Sequence, residues 1–147
     1  MKPDFSELVE RFSRQLDIES QLILMFDIFG RLFKCVTKVW LPDDYSKLVH
    51  IETLQDQQIS LSERTDLMRQ AYATLDLAQQ YLQGEANEKP VCIAIPLIAG
   101  HNVLGVIELD RHTKQGFSHQ EIDQATRISH LSALGIDWQI QKRLNTE

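Results

Sequence analysis

The chain has 147 residues, of which 43% are hydrophobic and 24% are charged, a balance typical of a single soluble globular domain with its own core. We therefore expect residues 1–147 to form one domain. The formal net charge is -6, and no dense run of lysine or arginine is present. This charge pattern disfavours binding to nucleic acid or to an anionic membrane surface. The first residues lack the apolar segment of a signal peptide, and two isolated cysteines make no disulfide framework, so we expect a cytoplasmic protein.

The first third of the chain predicts a helix followed by strands. Apolar residues from Phe5 to Leu16 recur at spacings of three and four, which predicts an N-terminal helix with one apolar face. Residues 20–29 and 32–41 are rich in Ile, Leu, Phe and Val, which predicts two strands joined by a tight turn at Gly30–Arg31. Residues 48–54 predict a shorter third strand.

The middle of the chain predicts one long helix. Ser62 is a suitable N-cap residue, and an apolar stripe continues from there to Gln83. Gly84 is expected to end this helix. A helix of this length would occupy most of the segment between the third predicted strand and the hairpin that follows.

The last third predicts a hairpin and a helix. Residues 91–98 and 103–109 are nearly continuous apolar runs, and Gly100 in the turn between them can take a positive φ. Ser118 and Glu121 form a capping box that opens the last helix. That helix carries two apolar stripes, and the second indicates a surface available to a partner. The whole order predicts an α+β fold with an antiparallel sheet.

The segment from residue 91 to residue 122 resembles the C-terminal half of a GAF domain. The matching motifs are Ile95-Pro96-Leu97, then Gly100, then Gly105-Val106-Ile107-Glu108-Leu109, and then Phe117-Ser118-His119-Gln120-Glu121. The resemblance implies a GAF/PAS-like antiparallel sheet with flanking helices, in which the N- and C-terminal helices pack together on one face. It also implies a non-catalytic sensory or regulatory domain that binds a small ligand, dimerises through its terminal helices, or does both.

The resemblance implies two candidate functional regions. The candidate ligand pocket is formed by Phe26, Phe33, Cys35, Cys92, Ala94 and Glu108. The candidate homodimer interface is formed by Phe5, Leu8, Phe12, Leu16, Leu131, Trp138 and Leu144.

The sequence gives no positive sign of catalysis. It has no Ser-His-Asp set, no phosphate-binding glycine loop and no metalloprotease motif, and its five histidines lack the spacing of a metal site. We therefore expect no catalytic residues and no metal ligands, and the sequence specifies no cofactor. Two alternatives remain open. One is a ligand-free protein–protein interaction module. The other is a thiol-based redox sensor, or an enzyme resembling methionine sulfoxide reductases, that uses Cys35 or Cys92.

Overall fold

The computed structural model describes residues 4–82, 89–111 and 115–146. In these ranges the helices are α1 (Phe5–Ser13), α2 (Ile18–Phe33), α3 (Asp43–Ser46), α4 (Ile51–Asp56), α5 (Asp66–Thr74) and α6 (His119–Thr146). The strands are β1 (Val36–Trp40), β2 (Ala78–Gln80), β3 (Cys92–Ala99) and β4 (Asn102–Asp110). All pairings are antiparallel, and the strand order is β1-β4-β3-β2. The predicted α+β class is confirmed.

The sheet has a core on each face because side chains alternate along its strands. On one face, Ile93, Ile95 and Leu97 of β3 pack with α1, α2 and α6, and we call this cluster the main core. On the other face, Ala94 and its neighbours pack under α5, and we call this smaller cluster the second core. Since α6 packs against both α1 and β3, the predicted packing of the terminal helices on one face is confirmed.

The predicted hairpin and capping box are also confirmed. Strands β3 and β4 pair around a turn in which Gly100 has a φ of 61°. At the start of α6, the Ser118 hydroxyl accepts a bond from the Glu121 backbone N–H at 3.1 Å. The Glu121 carboxylate in turn accepts from the Ser118 N–H at 3.0 Å.

The predicted strand pair around Gly30 is wrong. Residues 18–33 form α2, which begins after Asp17, whose carboxylate accepts a hydrogen bond from the Ser20 N–H at 2.7 Å. This helix is apolar on most of its surface because it packs into the main core along its length, and a buried helix and a buried strand give similar apolar runs. The chain leaves α2 through Lys34, which has a φ of 50°, so only Val36–Trp40 of the second predicted strand is a strand.

Two further predictions in the middle of the chain are wrong. The expected strand over residues 48–54 is replaced by α4 and the end of the preceding turn. The expected helix over residues 62–83 begins later, with Thr65 as its N-cap, and ends at Leu75, which takes the left-handed conformation. The chain then forms the edge strand β2. The predicted helix end at Gln83 and Gly84 lies outside the described residues.

Candidate functional site

The residues predicted to form a ligand pocket lie on both sides of the sheet. Cys92 and Ala94 belong to the second core, and Glu108 lies beside Ala94 on the same face, because these two residues are paired between β3 and β4. Phe33 is buried in the main core, and Phe26 lies half-buried against that core on α2. The sheet therefore separates the six predicted residues into two groups.

Cys35 belongs to the main-core group. Its Sγ lies 3.7 Å from the carbonyl oxygen of Phe29 and 3.9 Å from the hydroxyl of Thr37. Burial raises the pKa of the Cys35 thiol, and the Thr37 hydroxyl offsets this only in part. The thiol is therefore protonated near neutral pH.

Three potential ligand side chains meet on the α5 face of the sheet, and we call them the thiol–carboxylate cluster. The Sγ of Cys92 and a carboxylate oxygen from each of Glu108 and Asp110 all lie within 4.8 Å of one another. Burial, together with the negative charges of Glu108 and Asp110, raises the pKa of Cys92 to about 12, against a small opposing effect of Lys38. Sequence reasoning placed Cys92 and Glu108 in the candidate pocket but missed Asp110, which joins them because it is paired with Cys92 across β3 and β4.

Thr65 connects this cluster to the start of α5. Its hydroxyl donates to the Oε1 of Glu108 at 2.6 Å and accepts from the N–H of Met68 at 3.1 Å. One side chain therefore caps the helix and fixes the buried carboxylate. Because Met68 and Ala71 are fully buried against the sheet, α5 fills the space next to the cluster.

The residues predicted to form the dimer interface differ widely in exposure. Leu8 and Phe12 are buried in the main core of their own chain, Leu131 is half-buried against it, and Phe5 lies under the Arg127 guanidinium at 4.0 Å. Leu144 is exposed on the last turn of α6. Leu16 follows the end of α1 rather than lying on the helix as predicted, and it is 76% exposed.

An apolar surface groove of about 420 Å³ lies between α1 and α6, and we call it the α1–α6 groove. Its lining includes Leu16, Trp138 and two residues outside the predicted interface, Val9 and Leu134. Leu134 and Trp138 are 60% and 69% exposed, and Val9 is also exposed. Trp138 belongs to the predicted interface, and the helical spacing of four would have found Leu134 one turn earlier.

At the floor of the groove, two glutamines bind the end of α1. Gln21 donates to the carbonyl oxygen of Phe12 at 2.8 Å, and Gln139 donates to that of Gln15 at 3.1 Å. Gly135 permits the close approach of α6, since a Cβ there would lie 2.6 Å from the Oε1 of Gln21.

A buried ion pair fixes the C-terminal end of α6. Arg143 binds the two carboxylate oxygens of Glu19 at 2.9 and 3.1 Å, and the His50 N–H donates to the same carboxylate at 2.7 Å. Burial raises the pKa of Glu19, but the bonds from Arg143 and His50 outweigh burial and hold that pKa below its usual value.

Comparisons with known proteins identify this fold. By sequence, the chain matches no protein-family model and no curated protein. By structure, it is similar to the GAF domain of an Acinetobacter phosphoenolpyruvate-protein phosphotransferase, with a TM-score of 0.67 and 15% identity over 90% of each chain. The GAF domain of the potassium sensor histidine kinase KdpD from Escherichia coli gives 0.65 at 12% identity, over 97% of this chain and 96% of that one. The chain has a GAF fold.

A third similar structure is an enzyme. The free methionine-R-sulfoxide reductase from Neisseria meningitidis, solved in complex with its substrate, gives a TM-score of 0.66 at 12% identity over 97% of this chain and 96% of that one. The two GAF domains described above confirm the fold that the sequence resemblance predicted.

Within this GAF fold, the two candidate regions lie on opposite sides of the sheet. The thiol–carboxylate cluster is on the α5 face of the sheet, whereas the α1–α6 groove is on the outer side of the helices that cover the opposite face. No helix in the described ranges is long and apolar enough to cross a membrane.

Proposed function

We propose that this chain is a non-catalytic regulatory domain with a GAF fold, and that it acts by pairing with a second copy of itself through the α1–α6 groove. The observation that carries the proposal is the exposure of Leu16, Leu134 and Trp138 around one apolar groove. A monomeric protein rarely leaves large apolar side chains clustered in this way. We also propose that the domain is cytoplasmic, because its two cysteines are free.

Burying a large apolar side chain contributes about 1.5–3 kcal/mol, but Leu16, Leu134 and Trp138 are already partly buried, at 76%, 60% and 69% exposed. Three such residues from each of two copies therefore contribute roughly 6–12 kcal/mol before costs. Association costs on the order of 4–15 kcal/mol in lost freedom of motion. A micromolar dissociation constant, about -8 kcal/mol, is reached when the contribution lies at the high end and the cost at the low end of these ranges. Trp138 is the expected main contributor, because tryptophan dominates many interface centres.

A second copy is the favoured occupant because the groove supports a two-fold contact. In a two-fold dimer the same patch is used on both chains, so an apolar groove flanked by an exposed tryptophan can receive the tryptophan of its partner. A different partner protein on the same groove is the alternative, and the experiment below distinguishes it.

The thiol chemistry supports a non-catalytic role. A nucleophilic or redox-active cysteine needs a lowered pKa and access to solvent. Cys92 is buried and has a pKa raised to about 12, and burial also raises the pKa of Cys35. Slow alkylation of both thiols in the folded protein is therefore expected, and fast alkylation of either would favour the redox alternative.

Analytical ultracentrifugation of the wild type and of a Leu134→Ser/Trp138→Ser double variant tests the proposal. At micromolar concentration we expect a dimer for the wild type and a monomer for the double variant, with unchanged far-ultraviolet circular dichroism. Leu75→Asn is the matched control, because Leu75 is an equally exposed leucine away from the groove in a left-handed conformation that asparagine tolerates. A wild type that is monomeric throughout the range would refute self-association, and a dimer that survives the double substitution would refute the assigned surface.

A further inference from the structure

We propose that Cys92, Glu108 and Asp110 form a binding site for a divalent transition-metal ion with affinity for thiolate, of the kind represented by Zn²⁺. The three potential ligand atoms lie within 4.8 Å of one another, and Cys92 and Glu108 are each only 4% exposed. This site lies on the α5 face of the sheet, away from the α1–α6 groove, so it does not depend on the association proposed above.

The sheet itself brings the three side chains together. Cys92 is paired with Asp110 across β3 and β4, and Glu108 precedes Asp110 by two residues on the same face. Directly paired and diagonal side chains on one face of an antiparallel pair are within contact range of one another. The ligands are therefore held by two central strands rather than by loops, and little backbone movement is needed to bind an ion.

The Cys92 side chain is more than nine-tenths buried, points at two carboxylates, and makes no hydrogen bond with any residue in the described ranges. Two carboxylates and a thiol this close together repel one another when ionised, and a divalent cation bound between them would offset that repulsion. Thr65, which donates to the Oε1 of Glu108, supplies the outer hydrogen bond that orients ligating carboxylates in metal sites.

The separations suit one ion after a small adjustment. Metal–sulfur and metal–oxygen bonds of about 2.3 and 2.1 Å in tetrahedral geometry place ligand atoms roughly 3.3–3.8 Å apart. Since no two of the three ligand atoms are more than 4.8 Å apart, the side chains must close by at most about 1.5 Å. On binding, the Cys92 thiol releases its proton to the buffer and the sulfur forms the bond to the metal. Three protein ligands leave one position open for water or a small molecule.

Lys38 is a competing cation at this site. It is paired with Glu108 across β1 and β4, on the same face as the cluster, and its charge acts on Cys92. A metal ion must overcome the repulsion from this ammonium group. Replacing Lys38 with an uncharged residue of similar length therefore strengthens metal binding, whereas a cluster that simply needs Lys38 as its counter-ion would gain nothing from the change.

The test is titration of the metal-free protein with Zn²⁺ by calorimetry, and with Co²⁺ by absorption spectroscopy. We expect one ion per chain and a thiolate-to-cobalt charge-transfer band in the near ultraviolet. Cys92→Ser should abolish that band, and Asp110→Asn should weaken Zn²⁺ binding by about tenfold or more. Cys35→Ser is the matched control and should keep the band, while Lys38→Met should tighten Zn²⁺ binding. Circular dichroism establishes that each variant is folded.

Several results would overturn the metal site. These are the lack of saturable one-to-one binding to the wild type, a cobalt band that persists in Cys92→Ser, and a band that is lost in Cys35→Ser. If Cys92→Ser fails to fold, Asp110→Asn and Lys38→Met carry the test, and Zn²⁺ affinities equal to that of the wild type in both would refute the assignment.

Discussion

Gly105 permits a close approach between β4 and the end of β1, and replacing it with alanine should be strongly destabilising. A Cβ at this position would lie 2.3 Å from the carbonyl oxygen of Trp40 and 2.9 Å from the Cδ2 of Leu41, whereas real Cβ contacts essentially never fall below 3.0 Å. The Trp40 oxygen is a backbone atom, held by the pairing of β1 with β4, so it cannot rotate away. Relief requires the two strands to separate.

We expect Gly105→Ala to lower the free energy of unfolding by about 3 kcal/mol, at the upper end of the usual cost of overpacking. For a domain of this size, that corresponds to a fall of roughly 6–12 °C in Tm. Urea denaturation followed by far-ultraviolet circular dichroism measures it. Gly30→Ala is the control, since a Cβ there meets nothing within 4 Å inside α2, and should stabilise by about 0.5–1 kcal/mol. A change below about 0.5 kcal/mol for Gly105→Ala would refute the argument from close approach.

Two further predictions concern pH and helix capping. Because the bonds to Arg143 and His50 hold the folded-state pKa of Glu19 below its usual value, they stabilise the protein above the usual pKa of a glutamate and are lost as pH falls through the folded-state pKa. Glu19→Gln should therefore cost about 2 kcal/mol at pH 7, and this difference from the wild type should shrink in urea titrations as the pH falls through the folded-state pKa of Glu19; a constant difference would contradict the assignment. Ser118→Ala should cost about 1 kcal/mol by removing the hydroxyl that accepts the Glu121 N–H, and an unchanged urea midpoint would contradict this role.

The C-terminal half of the fold could be predicted from the sequence because its signals are local. Gly100 must take a positive φ, and the capping box needs only Ser118 and Glu121 at a spacing of three. Such features depend on neighbouring residues and not on how the chain folds elsewhere.

The element types of the N-terminal half were harder to predict, because the buried helix α2 is apolar on several faces and its helical periodicity is therefore weak. In α2, residues facing the main core recur as Ile18, Leu22, Met25 and Phe29, but apolar residues also occupy the other faces. With Gly30 read as a turn, the run fitted two strands equally well. The spacing of four, three and four and the Asp17 N-cap were the signals that favoured a helix.

Predicting the candidate sites required knowing which way each side chain faces. That direction depends on whether the residue lies in a helix or in a strand. Once residues 20–29 were read as a strand, Phe26 was placed beside the sheet, although α2 carries it away on the main-core side. By contrast, Trp138 was placed correctly on an outward stripe because α6 was identified correctly. The thiol–carboxylate cluster needed the register of β3 against β4, which no local pattern supplies.

The most direct test of self-association through the α1–α6 groove is the fluorescence of Trp138 as the protein is diluted. The chain has two tryptophans, so Trp40→Phe leaves Trp138 as the only tryptophan, and excitation at the red edge of absorption keeps its emission separate from that of the three tyrosines. Since Trp138 is 69% exposed in the single chain, pairing should remove it from water. The account predicts a blue-shifted emission at high micromolar concentration that moves to the red on dilution, in step with the dimer-to-monomer change in sedimentation. Emission of a solvent-exposed tryptophan at every concentration would contradict it.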